Sequence, residues 1–157
     1  MPYDVYIAMS EPKKTSVRLK VDDVGKIPSM VDPHLNGDNP HSVAIVAIAR
    51  FENLYINEWI DYHRKLGFSH FYVYDNSWGD EVRLDKVISG KNMEVTTIIP
   101  AYDIPAFQSQ AYTSAYNMYG NKHDYMLFID IDEFFTLMKH DNVSDYIDYL
   151  EDKCCGF

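Results

Sequence analysis

Three carboxylates within four positions, Asp130, Asp132 and Glu133, close the apolar run Tyr125-Met126-Leu127-Phe128-Ile129. On a strand, side chains two apart share a side, so Asp130 and Asp132 face together. Like charges at the end of a buried strand repel each other and are costly to desolvate. A divalent cation removes both penalties. Asp130 and Asp132 are therefore candidate metal ligands, with Glu133 as a supporting or capping group. The chain has 17 Asp in 157 residues, so chance alone supplies roughly two such triplets. A solvated acidic turn is the competing reading, and the surrounding elements must decide.

Those elements are legible from residue 42 onward. Val43–Ala49 is uniformly apolar, as in a strand covered on both faces. Residues 54–66 read as a helix with Ile56, Trp59, Ile60 and His63 on one side and Gly67 at its end. His70–Asp75 is a second strand, and 81–89 a short helix. Residues 94–99 form a third strand stopped by Pro100, 107–119 a helix, 125–129 a fourth strand and 143–151 a last helix. Alternating strands and helices predict an α/β fold with a mostly parallel central sheet and helices on both faces. Ligands bind such sheets beyond the carboxyl ends of the strands. Three strand ends carry polar groups there: Arg50 and Glu52, Asp75 and Asn76, Asp130 and Asp132.

Residues 1–41 differ, with five of the seven prolines. They read as an N-terminal extension and linker, with a short strand at 3–8 and an irregular stretch at 28–41. Residues 42–157 make up the globular domain, large enough for one core. The net charge of −10 excludes general nucleic-acid binding, whereas a nucleotide with a bound cation stays compatible. Cys154 and Cys155 fit neither a disulfide framework nor a zinc pattern. Reduced thiols and the lack of a signal-peptide pattern point to the cytoplasm, with any membrane contact peripheral. No run is long and apolar enough for a transmembrane segment.

The turn after the first strand, Ala49-Arg50-Phe51-Glu52-Asn53, has no glycine, which excludes a dinucleotide fingerprint, and no Walker loop is present. A receiver domain needs a lone Asp after its third strand, where Ile99-Pro100 stands.

Glu58-Trp59-Ile60-Asp61-Tyr62-His63, Gly67 and His70-Phe71-Tyr72-Val73-Tyr74-Asp75-Asn76-Ser77 resemble the opening of family 92 and related family-2-like glycosyltransferases. Phe128-Ile129-Asp130-Ile131-Asp132-Glu133-Phe134 is similar to their Asp-x-Asp motif. The resemblance runs from about residue 43 to 157. It implies a GT-A fold, of which this chain holds the N-terminal nucleotide-sugar-binding half, incomplete at its C-terminus. It also implies a UDP-sugar donor, Mn²⁺ or Mg²⁺, and a glycan, lipid-linked glycan or other hydroxyl acceptor. Such oxygen-rich ligation suits these hard ions.

On this resemblance Asp132 binds the metal, Asp130 the metal or ribose, and Asp75 the nucleotide. Arg50 approaches the diphosphate and Glu52 fixes its loop; an exposed ion pair is the plain alternative. Asp75-Asn76-Ser77 also suits an Asx-type turn. Gln110, with Ser114 and Asn117, forms a polar stripe that faces either the donor or solvent. Trp59 and His63 read as packing residues, and His140 as a possible added ligand. No catalytic base is identifiable, so a non-catalytic nucleotide- or partner-binding domain is the alternative function.

Overall fold

The computed structural model describes residues 5–9, 17–19 and 40–154. One six-stranded sheet holds β1 (Val5–Met9), β2 (Val17–Leu19), β3 (Val43–Ala49), β4 (His70–Asp75), β5 (Thr96–Pro100) and β6 (Tyr125–Phe128), in the order β2-β1-β6-β3-β4-β5. β6, β3, β4 and β5 run parallel, whereas β1 pairs antiparallel with β6 and β2 antiparallel with β1. Four parallel strands with helices on both faces are the expected α/β fold with a mostly parallel central sheet. The strand expected at 3–8 corresponds to β1, while β2 had no signal in the sequence. The irregular stretch expected at 28–41 lies outside the described residues except for Pro40 and His41.

Both faces of β3 are buried, as its unbroken apolar run requires. Val43, Ile45, Ala47 and Ala49 enter one core with Trp59 and Ile60 of α1 (Ile56–Lys65) and Val143 and Ile147 of α4 (Val143–Cys154). Ala44 and Val46 enter a second core with Ala111 and Ala115 of α3 (Gln108–Tyr119). Helices thus cover both faces. α1 ends where Gly67 takes φ 96°, a left-handed conformation natural to glycine.

Residues 81–89 are not the helix expected of them. They hold one 3₁₀ turn, Leu84–Lys86, because side chains from elsewhere take their backbone groups. Leu84 N–H donates to Asp75 Oδ2 at 2.9 Å, Asn57 Nδ2 donates to Val87 O at 2.9 Å, and Ser89 N–H donates to Asn57 Oδ1 at 3.2 Å. The third strand starts two residues later than expected because Lys91–Glu94 closes a helical turn, α2. No helix of the described residues is long and apolar enough to cross a membrane.

The chain proceeds β3, β4, β5 to one side and then returns to place β6 on the other side of β3. Strand order therefore reverses between β3 and β6. A crevice opens at such a reversal, beyond the carboxyl ends of the two strands.

His63 is fully buried in the first core among Trp59, Tyr62, Phe68 and Phe134, none of them charged. Burial pushes its pKa down from 6.5 to about 4, opposed by the hydrogen bond to Trp59 O. His70 and His123, stacked at 5.8 Å, are also lowered, chiefly by burial. The sign follows: between pH 6.5 and about 4 the unfolded chain binds the proton and the fold does not. Stability is fully present above pH 6.5 and falls as the pH drops towards 4, by on the order of 3 kcal/mol from His63. Urea unfolding at pH 7 and pH 4.5 should show this loss, and His63→Gln should flatten it. An equally steep loss in the variant would show that other groups carry it.

Candidate functional site

The acidic motif forms a tight turn. Glu133 N–H donates to Asp130 O at 3.1 Å, and Asp130 N–H donates to Glu133 Oε2 at 3.1 Å. Glu133 is thus the turn's own cap. The strand alternation continues through the turn: Ile129 and Ile131 are 3% and 1% exposed, while Asp130 and Asp132 project to solvent. Asp130 Oδ1 accepts hydrogen bonds from Gln108 Nε2 at 2.8 Å and Tyr112 OH at 3.2 Å. Burial raises the Tyr112 phenol, and the Asp130 charge raises it further against the hydrogen bond from Gln108, so it stays a donor. No hydrogen bond among the described residues uses the Asp132 carboxylate.

Across the reversal lie the residues after β3. Glu52 Oε2 accepts the backbone N–H of Arg50. The two meet there, rather than through their charged ends. The Arg50 guanidinium lies 4.4 Å from the centre of the Trp78 ring. Between them Phe51 holds φ 67°, an uncommon conformation for a bulky residue, and is 63% exposed. Glu81 joins this loop to the one after β4, accepting from Phe51 N–H at 2.7 Å and Trp78 N–H at 3.0 Å. Burial raises the pKa of Glu52; the Arg50 N–H lowers it, and Glu81, Asp132 and Asp130 raise it again. The carboxylates after β6 and after β4 therefore act on Glu52, after β3, at this edge of the sheet. Asp130 and Asp132 place exposed carboxylate oxygens at this edge, the type of donor that a hard divalent cation takes.

Asp75 stands elsewhere. It is fully buried; Oδ1 accepts Ser77 N–H at 3.1 Å and the Ser77 hydroxyl, and Oδ2 accepts Leu84 N–H. This is the Asx-type arrangement that the sequence also allows for Asp75-Asn76-Ser77. Asn76 is likewise spent, donating to Ala101 O and Ile104 O.

Gln110 is exposed and lines a shallow groove on α3 with Ser114 and Asn117. The residue that meets Asp130 is Gln108. Two positions turn a helix by about 200°, so the stripe and the contact lie on different faces. Gln108 and Tyr112, four apart, were the missed signal. Glu81 had none, since it acts on a loop 30 residues away. His140 packs on Tyr146 and Tyr149. Among the described residues, the group of three that lies close enough to share a cation is His41, Asp148 and Glu151. His41 Nε2 and Asp148 Oδ1 are 2.8 Å apart, and Tyr125 OH donates to Glu151.

The fold is an α/β domain with a group of carboxylates at the carboxyl edge of a parallel sheet. Residues 42–154 match glycosyltransferase family 92, and the chain belongs to that family. A glycosyltransferase family 92 protein of Ricinus communis is 28% identical over 118 residues, covering 74% of this chain and 21% of that relative. The chain thus spans about a fifth of the relative's length. No solved structure matches it.

Proposed function

We propose that this chain is the donor-binding part of a glycosyltransferase. It binds a UDP-sugar through Mn²⁺ or Mg²⁺ at Asp130 and Asp132, for transfer of the sugar to a glycan, lipid-linked glycan or other hydroxyl acceptor. The observation that carries this reading is the exposed Asp130–Asp132 turn at the strand-order reversal, facing Glu52 in a chain of this family.

Asp132 would hold the cation directly, with an open carboxylate. Asp130, already fixed by Gln108 and Tyr112, would hold it or the ribose through its other oxygen. When bound, the cation offsets the negative charge that grows on a diphosphate leaving group. Arg50, exposed in the loop after β3, would supply a cationic partner for the same phosphates. Glu52 and Glu81 shape the loop that presents it.

Calorimetry of UDP binding, with Mn²⁺ and then with EDTA, tests the reading. Manganese-dependent binding is expected. Folded protein that binds no UDP under either condition would sink it. Binding without any sugar transfer would favour a nucleotide-binding domain that does not turn over.

A further inference from the structure

The Trp59–His63 segment of α1 is more than core packing. Trp59, Tyr62 and His63 stand at i, i+3 and i+4, on one face of the helix. All three reach the backbone just after the acidic turn. Trp59 Nε1–H donates to Glu133 O at 2.7 Å, Tyr62 OH donates to Phe135 O at 3.1 Å, and Phe135 N–H donates to His63 Nε2 at 3.1 Å. His63 Nδ1 lies 2.8 Å from Trp59 O. That bond requires the proton on Nδ1, which leaves Nε2 as the acceptor that Phe135 needs. One helical face thus holds the backbone at two positions, Glu133 and Phe135.

We propose that Trp59, Tyr62 and His63 are positioning residues that fix the Asp130–Asp132 turn from behind. The ligand-binding role of the turn rests on the function proposed above; the hold on it does not. The turn needs such a hold because its carboxylates face solvent. On its amino side it is tied to the sheet through Ile129 N–H to Val46 O at 3.3 Å. On its carboxyl side the α1 face supplies the hydrogen bonds at 133 and 135. Flexible carboxylates lose ligand affinity, because binding must then order them.

The test compares Trp59→Phe and Tyr62→Phe with Ile60→Val. The first two each remove one bond to the turn. The third is a buried change on the same helix in the same core. Amide hydrogen exchange at Asp130, Glu133 and Phe135 is read beside Mn²⁺ affinity. Losing one such bond should speed exchange at Glu133 and Phe135 by about three- to tenfold relative to Ile60→Val, and weaken Mn²⁺ binding by a similar factor. Exchange that rises no more than in Ile60→Val overturns the proposal. Faster exchange with unchanged Mn²⁺ affinity also overturns it, since the turn would then be held without any effect on the site. If the unaltered chain binds no Mn²⁺, the ligand reading fails by itself, and the exchange data alone decide whether α1 positions the turn.

Discussion

Asp132→Asn is expected to abolish Mn²⁺-dependent UDP binding and leave the fold intact. The Asp132 carboxylate is exposed and takes part in no hydrogen bond among the described residues. Its loss therefore strands no partner. It also removes one of the charges that raise Glu52, so the apo protein is relieved of repulsion. An amide is a much poorer ligand for a hard cation. Partners outside the ligand set commonly matter by 10–100-fold, so a direct ligand should count for about a hundredfold or more. Calorimetry with UDP and Mn²⁺, together with a melting curve, reads both halves. Unchanged binding in a folded variant would remove Asp132 from the site. Asp130→Asn should have a smaller effect, since Gln108 and Tyr112 continue to orient the side chain.

Asp75→Ala should have the opposite signature, a large loss of stability with no direct part in ligand contact. Alanine leaves Ser77 N–H, the Ser77 hydroxyl and Leu84 N–H without their acceptor inside the protein. Each buried donor without a partner costs about 1–3 kcal/mol. Partial rearrangement of the loop brings the total to about 3–5 kcal/mol, a large share of a domain's net stability. Urea unfolding measures it. A variant within about 1 kcal/mol of the parent would mean that the loop re-pairs these groups at little cost. UDP affinity per folded molecule should survive in Asp75→Ala and vanish in Asp132→Asn, which separates scaffold from site.

The sequence disclosed most of the scaffold for a simple reason. Val43–Ala49 is apolar without interruption, and only a strand buried on both faces uses such a run. The inward side of α1 was equally plain from its spacing. The acidic turn stood out because carboxylates rarely end a buried strand. Contacts made across long separations were not legible. Asp75 resembled a ligand contact because strand-end acids often are; that Leu84 closes over it depends on a loop nine residues on. Residues 81–89 had helical composition, but Asp75 and Asn57 took the backbone groups a helix would have used. Gln108 and Gln110 look alike in the sequence, because polarity alone does not tell which side of a helix meets the sheet edge. Trp59 and His63 read as packing because a sequence shows an indole and an imidazole but not which carbonyl or amide they reach.

β1 lies alongside β6 with Tyr6, Ile7, Ala8 and Met9 opposite Phe128, Leu127, Met126 and Tyr125. It comes from a part of the chain outside the region that matches the family, residues 42–154. A fragment cut to that region would leave β6 as an outer strand with unpaired amides and carbonyls along its length. Such a rim recruits strands from other molecules. β1 thus covers the rim of the strand that carries the acidic turn, and a chain shortened to its recognisable part would present that rim bare to other molecules.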